Sequence, residues 1–200
     1  MNLLYDHLLS VIIAGIIFMV MVQLRWTGQQ AQVETTRYYA GRTQMIAFIE
    51  TLQRDFQNVG AGVNPTSPMI TAYTWNGTEK SIEFLATVDT TAGAPVELIK
   101  YHLIAVTGQS ICGQVQCYEL QRYVHTGSTY QPNGKSMSTL TEFEIQLYEG
   151  DGSPVGANLN DAREIQVRVA ALSPMGEEGI IKRSRWQTRF QPVNLTLKDL

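Results

Sequence analysis

The chain has 200 residues, enough for one sizeable domain with an appendage and too few for two large ones. Hydrophobic residues make up 44% and charged residues 16%, near the globular norm, so a wholly disordered chain is excluded. The net charge of -3 and pI near 5.6 give no broad attraction to nucleic acid, and the short basic run Lys182-Arg183-Ser184-Arg185 lies in an alternating pattern that reads as a solvated strand face.

The apolar residues pile up at the N-terminus. Leu8 to Leu24 reads LLSVIIAGIIFMVMVQL, uncharged and with only Ser10 and Gln23 polar. A bilayer core needs about 20 helical residues, and Leu3-Leu4-Tyr5 extends the run across Asp6 and His7. Its Leu, Ile, Val and Phe residues favour insertion by roughly 3 to 7 kcal/mol in sum. A secretory signal peptide would carry a basic n-region and a small-residue cleavage site, which this stretch lacks. A buried core helix would need a wrapping that nothing downstream offers. The expectation is a membrane-spanning helix. Its flanking charges are discordant. Arg25, Arg37 and Arg42 follow the span, so a literal positive-inside reading puts the C-terminal part in the cytoplasm. A mature form that has lost a basic leader would resolve this, and Met1 as an ordinary initiator is the alternative.

The helical period continues beyond Leu24. Tyr38, Met45, Ile49, Leu52, Phe56 and Val59 mark one face, and Gln44, Glu50, Gln53, Arg54 and Gln57 fill the others. Gly60-Ala61-Gly62 supplies stop residues and Asn64-Pro65 forbids continuation. A single helix from about Leu3 to Val59 follows, roughly 85 Å long at 1.5 Å per residue, with Gly28 and Gly41 as weak points.

Beyond Pro68 the period falls to two. Met69, Tyr73 and Trp75 alternate with smaller residues before Asn76-Gly77, a turn signal, and Ile82, Phe84, Ala86 and Val88 alternate with Ser81, Glu83 and Thr87. Val96 to Val106 is apolar on both faces, as a central strand would be. Val115 to Val124, Met137 to Tyr148, Arg163 to Leu172 and Ile180 to Phe190 complete about seven strands. The inward sets of the last three are Phe143/Ile145/Leu147, Ile165/Val167/Val169 and Ile180/Trp186/Phe190. Asn133-Gly134, Glu149-Gly150-Asp151-Gly152 and Pro174-Met175-Gly176 read as connections. The predicted fold is α+β, a long helix against a mainly antiparallel sheet.

The two cysteines, Cys112 and Cys117, have four residues between them, and His102 and His125 complete no known zinc pattern. A local disulfide at a hairpin tip fits best, with free buried thiols and a metal site as alternatives; a bridge of this span contributes roughly 2 kcal/mol and implies an oxidising compartment. Catalytic signals are missing. Gly108-Gln109-Ser110-Ile111-Cys112 lacks the last glycine of a nucleophile elbow, which leaves Ser110 a hairpin-tip serine. His7, His102 and His125 are scattered and read as surface or core residues. Glu149-Gly150-Asp151-Gly152-Ser153 resembles part of a calcium loop without its terminal glutamate, so a tight turn is the simpler reading. No catalytic, cofactor or metal residue is assigned, and an enzyme is not expected.

The order of these features resembles the type IV pilin superfamily, most closely minor pilins and pseudopilins of the PilW and GspJ type. The likeness is carried by MNLLYDHLLSVIIAG, FIETLQRDFQNVGAGV, LIKYHL, YELQRY, FEIQLYEGDG, REIQVRV and WQTRFQPVNL, and covers nearly the whole chain. It implies residues 1–26 as a transmembrane and assembly helix, 27–62 as its amphipathic continuation and 63–200 as a β-rich head. It further implies polymerisation with copies of itself and other pilin-like subunits, an inner-membrane anchor before assembly with the head outside the cytoplasm, and then a periplasmic or extracellular filament. The assembly residues would be Tyr5, Asp6, Ala14, Gly15 and Ile16. Family members usually carry glutamate at mature position five, where this chain has Tyr5 with the acid one place later at Asp6. Pilus and secretion pseudopilus, and major and minor subunit, stay open. The alternative function is a single-span, membrane-anchored periplasmic binding module that does not polymerise.

Overall fold

The computed structural model describes residues 2–64, 66–76, 79–87, 95–107, 115–126, 129–135, 139–172 and 183–196. By internal contacts the chain forms two compact units, Met1–Ala40 and Gly41–Leu200.

The first unit is helix. Helix α1 spans Asn2–Gln57 without interruption, so Gly28 and Gly41 do not break it. Every residue from Tyr5 to Val33 is exposed. Ser10, Thr27, Thr35 and Thr36 each turn their hydroxyl back onto the carbonyl four residues earlier, at 2.5–2.9 Å, which satisfies those polar groups without a partner outside the helix.

The second unit joins the end of α1 to one antiparallel sheet. Its strands are β1 (Ile70–Asn76), β2 (Glu79–Thr87), β3 (Val96–Val106), β4 (Cys117–Thr126), β5 (Thr129–Lys135), β6 (Leu140–Tyr148), β7 (Glu164–Leu172) and β8 (Arg183–Phe190). The order is β1-β2-β3-β4-β6-β7-β8, with β5 pairing β4 off this path. Strand β4 divides its far edge: Tyr118 meets Leu140 of β6, while Gln121–Thr126 pair with β5. A one-turn helix α2 (Val193–Thr196) follows β8.

The core is where the 3.6 and 2.0 periods meet. Met45, Leu52, Phe56 and Val59 from the chain's helical segment and its end pack with Ile82, Phe84, Ile99, Tyr101, Leu120, Ile145, Ile165 and Val167 in one cluster. Phe56 lies 5.3 Å from Phe84 on β2, 5.7 Å from Tyr101 on β3 and 5.8 Å from Phe190 on β8, between ring centroids. Five strand steps separate β2 from β8, about 24 Å in a flat sheet. One ring touching both means the sheet curls around the last turns of α1. The Tyr73 hydroxyl of β1 donates to the Ile145 carbonyl of β6 at 2.7 Å, bridging four steps in the same way.

Where α1 ends, the chain is captured by the sheet. Val59 forms a bridge with Ala86, and the Gly60 N–H donates to the Leu85 carbonyl at 2.7 Å. Gly60 has φ +76, and a Cβ there would stand 2.3 Å from Met69 Sδ, so both conformation and space require glycine.

The structure departs from the sequence expectations in several places. Strand β5 was not expected: Asn133-Gly134, read as a connection, lies within it, where the β4–β5 register shifts between Gln121 and Tyr123 and Gly134 takes φ +116. Pro132 is tolerated because, among the described residues, β5 pairs on one side only. Strand β3 is central but not apolar on both faces: Ile99, Tyr101 and Leu103 are buried, while Leu98, Lys100, His102 and Ile104 are half-buried. Glu149–Ser153 is a tight turn in which Asp151 Oδ1 already accepts from the Ser153 N–H and hydroxyl at 2.8 and 2.7 Å. Cys112, Ser110, Val88, Met137, Pro65, Pro174-Met175-Gly176 and Ile180 lie outside the described residues.

Candidate functional site

Two features stand out chemically, one in each unit. The first is the apolar half of α1. It contains an 18-residue window of mean hydropathy 2.4 with none of it buried, long and apolar enough to cross a membrane. Of the expected assembly residues, Tyr5 is 76% and Ile16 59% exposed, and Asp6 and Ala14 are exposed on the same helix. A Cβ on Gly15 would meet nothing within 4 Å, so within this chain the glycine answers to no close approach. The apolar side chains run all round the helix: Leu8, Val11, Ile12, Ile13, Ile16, Ile17, Phe18, Met19 and Val20 are each 49% exposed or more. A surface of this kind in water is not stable uncovered.

The second feature is a buried charge pair in the sheet unit. Tyr101 and Arg122 are register partners on β3 and β4, so their side chains lie beside each other on the core face. Asp55, one residue before Phe56 on α1, points between them. Its Oδ2 accepts from the Tyr101 hydroxyl at 2.7 Å and from Arg122 Nε at 2.5 Å. Asp55 is 2% exposed and Arg122 5%, so this ion pair is removed from water. Arg54 Nε stands 3.6 Å from the other Asp55 oxygen, with its side chain about half exposed.

The electrostatics follow from that burial. Burial, then the neighbouring Asp55 charge, pushes the Tyr101 phenol well above its usual pKa. For Arg122 burial acts against the charged form, but the hydrogen bond and charge of Asp55 outweigh it and hold the guanidinium more firmly protonated than usual. Arg122 Nη2 is buried and has no hydrogen-bond partner among the described residues. At the Arg122 side chain, a cavity of about 570 Å³ is lined by Ala47, Phe48, Arg54, Leu120, Arg122 and Asn133, among others.

Sequence reasoning missed this second feature. Asp55 and Arg122 each occupy a position in an apolar register, Leu52/Asp55/Phe56 on the helix and Leu120/Arg122/Val124 on the strand. Two opposite charges in two core-facing patterns were the available signal. Of the cysteines, Cys117 is buried at the start of β4, where it faces Leu172 in a small apolar cluster, and Cys112 is outside the described residues. Among the described residues no group of three or more His, Cys, Asp or Glu is placed to hold a metal ion.

The outer face of the sheet carries paired charges: Lys100–Glu83 at 2.9 Å, Arg168–Glu144 at 3.2 Å, Arg183–Glu142 at 2.9 Å and Arg189–Glu164 at 3.0 Å. Pairs that are partly exposed in this way contribute about 0–1 kcal/mol each.

The chain and its fold match no protein-family model, no curated protein and no solved structure.

Proposed function

We propose that this chain is a structural, non-catalytic subunit of a type IV pilus-like filament or type II secretion pseudopilus. It is held in the inner membrane by the apolar half of α1 and polymerises through that helix with copies of itself and other pilin-like subunits. The carrying observation is a helix apolar on every side from Leu8 to Leu24, whose continuation Met45, Leu52 and Phe56 forms part of the core of a β-rich unit. A plain anchor ends in a linker; here the residues at the end of α1 are core residues of the sheet unit. Membrane insertion covers the apolar surface before assembly, and neighbouring helices cover it afterwards. Asp6 then either meets a partner or stays at headgroup level, because a lone carboxylate in hydrocarbon is costly.

The test is a charge in mid-span. Ile16→Asp places an unpaired carboxylate on the packing surface of every subunit, at several kcal/mol each. The variant should be absent from filaments that contain the wild-type chain, as seen by electron microscopy and mass spectrometry of sheared surface material. Incorporation at wild-type level would refute the reading. The alternative, an anchored periplasmic binding module, draws its support from the cavity beside Arg122 and predicts wild-type protein only as dispersed membrane monomers where the host makes filaments.

A further inference from the structure

We infer that the cavity beside Arg122 is a binding site for small organic carboxylates, an aromatic or aliphatic body with a single negative charge. This inference does not rest on polymerisation and holds for either reading of the anchor.

Size, charge and hydrogen bonding each point the same way. A cavity of about 570 Å³ lies in the range of small-molecule sites. Its apolar lining is Ala47, Phe48 and Leu120, and among the described residues the lining contains two guanidinium side chains, Arg54 and Arg122, and no carboxylate. Asp55 behind it neutralises one of the two cations through Arg122 Nε and faces the other across 3.6 Å. Among the described residues one positive charge is left over, which matches a monoanion better than a doubly charged phosphate. The hydrogen-bond count agrees. Asp55 occupies the Nε of Arg122, while Nη2 is buried without a partner among the described residues. A buried donor left unmade costs more than a typical hydrogen bond returns, so a small shift of the Arg122 guanidinium that brings Nη2 to an acceptor in the cavity is favoured. A planar carboxylate suits the guanidinium fork. The exposed Gln44 side chain at the lining can move to admit it, and Arg54, half exposed and 3.6 Å from Asp55, can turn from that carboxylate to the ligand.

The probe is benzoate, with benzamide as its uncharged counterpart. The full chain, labelled with ¹⁵N-arginine and held in dodecyl maltoside micelles, is titrated with each while the Arg122 Nε–Hε signal is followed. That signal is identified by its loss in the paired variant Asp55→Leu/Arg122→Met. Benzoate should shift it saturably with a dissociation constant of about 10 mM or tighter, and benzamide should not. Ala47→Trp, a change at an exposed lining position, should fill the cavity and weaken benzoate by about tenfold or more. Arg54→Gln should weaken it severalfold, with both variants melting as the parent does. No saturable shift, equal response to benzamide, or Ala47→Trp binding like the parent would each overturn the inference and leave water as the partner of Nη2.

Discussion

The Asp55–Arg122 pair sets up a decisive perturbation. Asp55→Ala removes the carboxylate and leaves a guanidinium that is 5% exposed with no counter-charge behind it. It also leaves the Tyr101 hydroxyl, 1% exposed at the residue level, without its acceptor. Breaking a buried pair from one side costs about 3–5 kcal/mol, and an orphaned buried hydroxyl adds about 1–3 kcal/mol. Water drawn into the adjoining cavity offsets part of this, so about 3–5 kcal/mol is the expected loss. For a unit of this size each kcal/mol shifts Tm by about 2–4 °C, which gives a fall of about 6–20 °C. The assay is thermal and urea unfolding of the full chain in micelles, followed by near-ultraviolet circular dichroism so that only tertiary packing is read. Asp55→Leu/Arg122→Met removes both charges together and should recover most of the loss. A loss under about 1 kcal/mol for Asp55→Ala, or a paired variant worse than the single one, would refute the reasoning.

Three further outcomes are expected. Cys112 and Cys117 should be bridged in protein isolated without reductant, so both thiols should resist alkylation in the unreduced, denatured chain; reduction should lower stability by roughly 2 kcal/mol. Alkaline pH should destabilise the sheet unit. Tyr73 and Tyr130 are pushed up from 10 to about 12, mainly by burial, and Tyr101 well above 10. Above pH 10 the unfolded chain loses phenolic protons that the native state keeps, so this stabilisation, complete below 10, is lost as pH climbs towards 12. Phenolate absorbance should accordingly show these three tyrosines titrating late. Gly60→Ala forces φ +76 on an alanine and drives its Cβ into the buried Met69 side chain; urea unfolding should show a loss of about 1–3 kcal/mol, where Gly152→Ala, with φ +85 but open space, should lose less.

What the sequence disclosed follows from which signals are periodic. The helix expected from about Leu3 to Val59 runs from Asn2 to Gln57, because a long 3.6 repeat ends in a glycine-rich stop. The strand sets Phe143/Ile145/Leu147 and Ile165/Val167/Val169 are buried as expected, since a one-sided sheet writes its core into every second residue. Strand β5 wrote nothing of the kind. Its residues Thr129 to Gly134 are exposed or half-exposed and, among the described residues, pair on one side with part of one strand, so no alternation marks them. Pro132 and Asn133-Gly134 then read as breakers when they are an edge proline and a bulge. The curling of the sheet was equally hidden, because the contact of Phe56 with both Phe84 and Phe190 joins residues no local pattern links.

The charge pair escaped for another reason, and that reason bears on its role. Asp55 and Arg122 are 67 positions apart, and each alone resembles a solvated charge. Only their coincidence on two core-facing registers makes a buried pair. Such a pair is weak evidence for stability, since well-packed apolar residues in its place are often as stable or more so. Stability alone therefore does not account for an arginine beneath a cavity with one donor satisfied and another unmade. Holding the guanidinium does: Asp55 fixes Nε and Tyr101 fixes Asp55, which keeps the Arg122 side chain in place at the cavity wall. On this reasoning Asp55→Leu/Arg122→Met separates the two roles in one molecule. It should melt close to the parent while losing the response to benzoate. A variant that melts like the parent and still discriminates benzoate from benzamide, read through the amide signals of Ala47 and Phe48, would assign the pair to neither role.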